Sequence, residues 1–158
     1  MNAPTADIVI RGAALADADT IAGFNVALAA ETEGKQLDPD VIGRGVQRIL
    51  TDPALGRYYV AERSVGGRPQ VAGQLLVTFE FSDWRDGLFW WIQSVYVRPE
   101  ARRSGVYRAL HRFVEREART SGGTCGLRLY VDRNNTRAQQ VYRSLGMAAT
   151  AYDLYETD

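Results

Sequence analysis

The sequence predicts a mixed α/β fold in which a single sheet carries helices on both faces. Two helical segments come early, strand segments joined by short turns follow, and a strand–helix–strand unit comes after them. Short turns make neighbouring strands antiparallel, whereas a crossover through a helix makes them parallel. The predicted order of elements is β, α, α, β, β, β, α, β, α, β.

The N-terminal part of the chain is predicted to form one strand and two helices. Residues 7–12 alternate between apolar and polar side chains, as a half-buried strand does. Residues 18–30 repeat apolar side chains at helical spacing, with Asp17 or Asp19 as the candidate cap. An Asp-Pro pair then opens a second helix over residues 38–52, which ends before the next proline.

The middle of the chain is predicted to form three strands joined by two hairpins. Residues 58–64 and 70–81 are strand-like, and the glycine-containing segment 65–69 between them supplies a turn. A second turn over residues 82–87 leads into an aromatic and β-branched strand over residues 88–97. These three strands would be antiparallel neighbours.

The C-terminal third is predicted to add two helices and two strands. Residues 105–120 form an amphipathic helix that the glycines 122–123 end, and residues 127–131 form a strand. Residues 135–145 form a further helix closed by a glycine, and residues 147–155 form a last strand.

Length and composition predict one ordinary globular domain over residues 1–158. Nineteen basic and nineteen acidic residues cancel, so the chain has no general attraction to nucleic acid or to an anionic membrane. A single cysteine and a single histidine, Cys125 and His111, argue against a disulfide or a metal site; we expect His111 to be a surface or capping residue. With no apolar run of about 20 residues, we expect a cytoplasmic protein.

The segment after the long aromatic strand has the composition of a phosphate site. The strand runs through Val97, Pro99 stops it, and the cluster Arg102, Arg103, Ser104 and Gly105 opens into a helix. The first amides of a helix lack intrahelical partners and lie at the positive end of its dipole, so they can bind a diphosphate. The alternative is a plain helix start with Ser104 as its cap.

Two motifs in this half of the chain resemble those of the GCN5-related N-acetyltransferases. The run from Arg102 to Tyr107 is similar to the pyrophosphate loop Gln/Arg-x-x-Gly-x-Gly/Ala, and departs from it at Tyr107. The run from Asn135 to Met147 is similar to the later Asn-x-x-Ala-x-x-x-Tyr helix. The two motifs and the strands beside them cover residues 90–147. The resemblance implies the GNAT acyl-CoA N-acyltransferase fold and transfer of an acetyl group from acetyl-CoA to an amine.

The resemblance also implies which residues hold the cofactor. Backbone groups of the strand would pair with the pantetheine amides, and the loop amides would bind the pyrophosphate. Asn135 could contact the cofactor or only cap its helix. The expected cofactor-binding residues are Val95, Tyr96, Val97, Arg102, Arg103, Ser104, Gly105, Val106, Tyr107 and Asn135.

Tyr142 is the candidate general acid for the leaving thiolate, because a phenol with a pKa near 10 is comparable in basicity to an alkyl thiolate. It could instead be a core residue, since it lies on an apolar helical face. The cofactor strand has no carboxylate, so Glu80, Glu31 and Glu33 are the candidate bases, directly or through ordered water.

The candidate acceptor site lies in an aromatic region before the cofactor loop, which contains Trp84, Phe89, Trp90, Trp91 and Tyr96. Trp84 and Trp91, with Glu33, would suit a small cationic amine, although sheet core is the alternative for the rings. Two other functions stay open: acetylation of a protein N-terminus or lysine, which requires an open groove, and acyl-CoA sensing without turnover. Exposed strand edges and an aromatic C-terminal segment make a homodimer an expectation.

Overall fold

A computed structural model describes residues 8–157, and these residues form five strands and four α-helices. In chain order the elements are β1 (Val9–Gly12), α1 (Ala18–Glu33), α2 (Pro39–Thr51), β2 (Arg57–Val65), β3 (Arg68–Ser82), β4 (Gly87–Val97), α3 (Val106–Thr120), β5 (Thr124–Leu129) and α4 (Thr136–Ser144). None of these helices is long and apolar enough to cross a membrane. The predicted start of the first strand, Asp7, lies outside the described residues.

The predicted mixed sheet is confirmed. The strand order is β1-β2-β3-β4-β5, in which the first four strands are antiparallel neighbours and β5 is parallel to β4. The β2–β3 turn is tighter than predicted, because Gly66 and Gly67 are both left-handed and close it in two residues.

The predicted last strand is wrong. Residues 147–157 form no strand, and the side chains of Tyr152, Leu154 and Tyr155 are 84%, 66% and 91% exposed. An alternating pattern becomes a strand only when it pairs with a neighbouring edge, and this segment pairs with none in the part of the chain described here.

Helices cover both faces of the sheet, as expected from the sequence. The strands alternate their side chains between the two faces, so each face has its own apolar core. Side chains buried on the α3 face include Leu75, Val77, Ile92, Leu110 and Val114. Side chains buried on the face of α1 and α2 include Ile21, Val46, Tyr58, Val60 and Leu76. Each such side chain contributes about 1.5–3 kcal/mol by leaving water.

A bulge interrupts the middle of β4. Leu75 lies opposite Val95 and Val77 lies opposite Ile92, so one residue of β3 faces the two β4 residues Gln93 and Ser94. On its other side, β4 pairs with β5 only as far as Ile92. Beyond the bulge β4 therefore has an edge that β5 does not cover.

Candidate active site

The site is built around the part of β4 that β5 leaves unpaired, residues 93–97, which we call the open edge. Val95, Tyr96 and Val97 pair with β3 on one side, opposite Leu75 to Gly73. On the β5 side the last paired residue of β4 is Ile92. The amides and carbonyls of the open edge that face away from β3 can thus pair with an extended ligand. The Val97 carbonyl also accepts a hydrogen bond from Arg102 Nε at 2.9 Å.

The loop that follows the open edge ends at an uncapped helix. Arg103 and Gly105 have left-handed backbone angles, with φ of 61° and 86°. Gly105 is the N-cap of α3 and makes no side-chain capping bond, so the first amides of α3 have no side-chain acceptor. Ser104, the cap in the alternative interpretation, instead donates its Oγ hydroxyl to the carbonyl of Ala101 at 2.6 Å.

A further arginine, from β2, reaches this loop. Arg63 Nη1 donates to Ser104 Oγ at 3.2 Å. Arg63 was not predicted from the sequence, because it is 41 residues from the loop in the chain and has no motif of its own. With Arg102 and Arg103 it adds positive charge where the α3 dipole is also positive.

The Tyr107 ring turns into the protein instead of across the loop. Its ring centroid lies 6.0 Å from that of Tyr142 and 5.8 Å from that of His111. Its hydroxyl lies 3.3 Å from His111 Nδ1, and burial raises the pKa of Tyr107 far above its usual value. The expectation that His111 is a surface residue is wrong: it is 2% exposed, because it lies one turn after Tyr107 on the inner side of α3. Burial lowers its pKa.

Tyr142 lies on α4, whose start is capped. Asn135 Oδ1 accepts a hydrogen bond from the Ala138 amide at 3.0 Å, so the capping role considered for Asn135 is present. Tyr142 is half-buried, and desolvation raises the pKa of its phenol. Desolvation is the only cause of this shift, and the hydroxyl has no hydrogen-bond partner within residues 8–157. This combination leaves a protonated hydroxyl available to a ligand.

The structure brings Glu31, at the end of α1, onto the cofactor loop. Its carboxylate accepts from Arg102 Nη2 at 2.6 Å and from the Tyr96 hydroxyl at 3.2 Å. Burial, with the Glu31 charge as a further cause, raises the pKa of Tyr96, so this phenol stays protonated and can donate. Glu33 does not join this group and pairs with Lys35 at 2.6 Å on an exposed surface.

Glu80 lies in a different group of side chains, on the sheet face beside β5. Its carboxylate accepts from Trp91 Nε1 at 3.2 Å and from Arg128 Nη1 at 2.8 Å. The Arg128 guanidinium lies 3.5 Å from the Phe89 ring centroid, and Trp91 stacks on Tyr130 at 4.5 Å. We call these five residues the aromatic shelf.

Two members of the aromatic shelf, Arg128 and Tyr130, were not predicted from the sequence. The available signal was the alternation of the predicted strand 127–131, which places both residues on one face. Trp84, in contrast, is not brought to the shelf. It is 91% exposed in the β3–β4 turn. Trp91 is four residues beyond Gly87, the first residue of β4 after that turn. This separation is about 13 Å along the strand.

The match to a known family decides what kind of protein this is. The sequence model of the Acetyltransferase (GNAT) family matches residues 22–147. The chain belongs to the GNAT family of acetyltransferases.

Within residues 8–157, no group of three or more His, Cys, Asp or Glu side chains is arranged to hold a metal ion. Among curated proteins, none matches the chain significantly.

Solved structures agree with this assignment. A possible acetyltransferase from Clostridium difficile is 44% identical, with a TM-score of 0.87 over 96% of this chain and 97% of that one. At 18% identity, where only the fold is comparable, a complex of the aminoglycoside N-acetyltransferase AAC(6′)-Iy with a CoA bisubstrate analogue has a TM-score of 0.77 over 97% and 99% of the two chains. A ribosomal-protein-alanine N-acetyltransferase from Brucella melitensis, also 18% identical, has a TM-score of 0.73 over 96% and 99%.

Proposed function

We propose that this acetyltransferase uses acetyl-CoA and transfers the acetyl group directly to a primary amine, most suitably that of a small molecule. The observation that carries the proposal is the continuity of the open edge of β4 with the uncapped start of α3. An extended arm with amide groups and a diphosphate at its end would match these two features in the same order along the chain. Coenzyme A has this construction.

The proposed cofactor contacts use the backbone more than the side chains. Groups of Val95, Tyr96 and Val97 would pair with the pantetheine amides as a neighbouring strand does, each bond contributing about 0.5–1.5 kcal/mol. Amides from Arg103 to Tyr107 would bind the diphosphate, with Arg102 adding charge. The inward Tyr107 ring supports this assignment, because the position where the family motif has Gly or Ala does not carry a side chain across the loop.

The proposed chemistry needs two proton transfers. The neutral amine forms a C–N bond to the thioester carbonyl carbon, and the C–S bond breaks. Tyr142 would donate its hydroxyl proton to the departing sulfur, and the proton lost from the amine would pass to Glu80 through ordered water. Glu80 is preferred to Glu31 here because it belongs to the aromatic shelf, whereas Glu31 faces the cofactor loop.

The aromatic shelf is the proposed acceptor site. The flat rings of Trp91 and Tyr130 suit a cationic amine before it loses its proton, and such an amine would share the Glu80 carboxylate with Arg128. The shelf is partly open to solvent, which keeps a protein N-terminus or lysine as the second candidate acceptor. Competition between small amines and peptides for acetyl transfer separates the two. Roles for Glu33 and Trp84 at the acceptor remain predictions.

Calorimetric titration with acetyl-CoA is the first test, with desulfo-CoA and ATP as comparisons. We expect micromolar binding that is selective over ATP, because ATP offers phosphates without the pantetheine arm. An amine screen that detects the released CoA thiol then identifies the acceptor. Absence of acetyl-CoA binding refutes the proposal, and binding without transfer to any acceptor, water included, supports the acyl-CoA-sensing alternative.

We also propose that two copies associate through the C-terminal segment, residues 147–157. Its large apolar side chains are exposed, and the outer edge of β5 is unpaired among the described strands. A cavity of about 310 Å³ lies between α3, β5 and the start of this segment. An extended strand from a second copy would cover both features. Light scattering should show a dimer that Leu154→Asp weakens; a monomer at all concentrations contradicts this proposal.

We place the reaction in the cytoplasm, where acetyl-CoA is available.

A further inference from the structure

Arg102 makes contacts that compete with its proposed role at the cofactor. Its Nη2 donates to Glu31 at 2.6 Å, and its Nε donates to the Val97 carbonyl at 2.9 Å. Its guanidinium also lies 5.6 Å from the Tyr96 ring centroid. One side chain therefore connects the end of α1, the open edge and the loop before α3.

We propose that Glu31 competes with the cofactor diphosphate for Arg102 and thereby sets the affinity of the protein for acyl-CoA. The inference rests on the proposed function and assigns Glu31 a positioning role instead of that of a base. The Nη2 N–H that donates to the Glu31 carboxylate cannot donate to a phosphate at the same time, and the carboxylate offsets the positive charge that attracts a diphosphate. The Val97 carbonyl already accepts from Arg102 Nε, so a pantetheine amide that pairs with it would share this acceptor with Arg102.

The Glu31–Arg102 contact is strong enough to affect binding without preventing it. Both side chains are about two-fifths exposed, so the ion pair is screened by solvent. Tyr96 holds the Glu31 carboxylate in place from the other side, which lowers the freedom that an exposed pair usually retains. Diphosphate binding would transfer Arg102 to the ligand and leave Glu31 with the Tyr96 hydroxyl alone.

The contact also links two parts of the protein that are distant in sequence. Glu31 belongs to α1 and Arg102 to the loop before α3, and the two residues are 71 positions apart. Exchange of this ion pair for a diphosphate contact would release the end of α1 from the loop. Binding at the diphosphate site would thus be coupled to α1 through the Arg102–Glu31 contact, which no local sequence motif contains.

The experiment measures acetyl-CoA affinity by calorimetry at constant ionic strength in wild type, Glu31→Gln, Arg102→Gln and the double variant. Glu31→Gln should bind acetyl-CoA about two- to five-fold more tightly, the range expected for loss of a competing exposed ion pair. Arg102→Gln should bind more weakly. In the Arg102→Gln background, Glu31→Gln should produce little further gain, because the competition no longer exists.

Glu115→Gln is the matched control. It removes the same charge and breaks a Glu–Arg pair of 2.7 Å on α3, to Arg119, and it should leave acetyl-CoA affinity unchanged. An equal gain from Glu31→Gln with and without Arg102 overturns the inference in favour of general charge repulsion. Unchanged or weaker binding by Glu31→Gln also overturns the inference, but the proposed function stands as long as wild type binds acetyl-CoA. If neither wild type nor any variant binds acetyl-CoA, the inference and the proposed function both fail.

Discussion

Replacement of Tyr142 by phenylalanine isolates the proposed general acid. Phenylalanine keeps the ring that packs against Tyr107 at a centroid distance of 6.0 Å. The hydroxyl that is removed has no hydrogen-bond partner within residues 8–157. We therefore expect the free energy of unfolding to change by no more than about 0.5 kcal/mol, and acetyl-CoA affinity to stay within about twofold of wild type.

The effect of Tyr142→Phe on turnover should be much larger. General acid catalysis contributes about 10²–10⁴ in rate, which corresponds to roughly 3–5 kcal/mol of transition-state stabilisation. The acid acts in its protonated form, so wild-type turnover should fall as the pH rises through its pKa. Because burial raises the pKa of Tyr142, this decline should lie above pH 10, and it should be missing from the variant.

The assay follows release of the CoA thiol under saturating acetyl-CoA and the acceptor found in the amine screen. Tyr59→Phe is the control, because Tyr59 is also a buried tyrosine but packs in the sheet core against Phe113. Turnover of Tyr142→Phe within threefold of wild type, with an unchanged alkaline decline, would refute the assignment. The hydroxyl would then be one exposed end of a core residue.

Three further predictions test the loop, the base and a structural ion pair. Gly105→Glu should weaken acetyl-CoA binding at least tenfold more than Gly105→Gln in calorimetry; both strain the left-handed backbone, and only the first adds an anion at the diphosphate. An equal loss of affinity in the two variants would refute the assignment of the diphosphate to this loop. Glu80→Gln should lower kcat about 10²-fold at neutral pH; an unchanged kcat excludes Glu80 as the base. Asp17→Asn should lower the free energy of unfolding by about 1–3 kcal/mol near pH 7, because the Asp17 carboxylate accepts from Arg11 at 2.8 Å and from the Ala14 amide. The pKa of Asp17 is lowered, chiefly by the hydrogen bond from Arg11. The stability difference between wild type and Asp17→Asn should therefore be fully present above about pH 4 and disappear as the pH falls below that value. A difference that stays constant in acid-unfolding curves contradicts this prediction.

Local signals were sufficient for most of the elements. The Asp38-Pro39 pair starts α2 as predicted, with the Asp38 side chain accepting from the amides of Asp40 and Val41. Glycines mark the β2–β3 turn and the end of α3, and apolar spacing identifies the inner side of α3. Each of these features depends on residues a few positions apart, which is why the sequence contains them.

The last strand and the register of β4 could not be predicted in this way. Residues 147–155 alternate suitably, but a strand also needs a neighbour, and pairing partners are distant in sequence. The bulge at Gln93 and Ser94 depends on how β4 aligns with β3. The resulting open edge is a property of three strands together.

For the site, the sequence by itself determined the GNAT motifs, the arginine- and glycine-rich loop and Tyr142 as a candidate acid. These are patterns of residue type and spacing within continuous segments, so they can be recognised without the tertiary structure. Tertiary structure alone decided that Glu31 pairs with Arg102 and that Glu80 joins Arg128, 71 and 48 positions away. Ion pairs form between charges that folding brings within about 4 Å of each other. Which carboxylate meets which arginine is therefore set by the packing of α1 and the sheet.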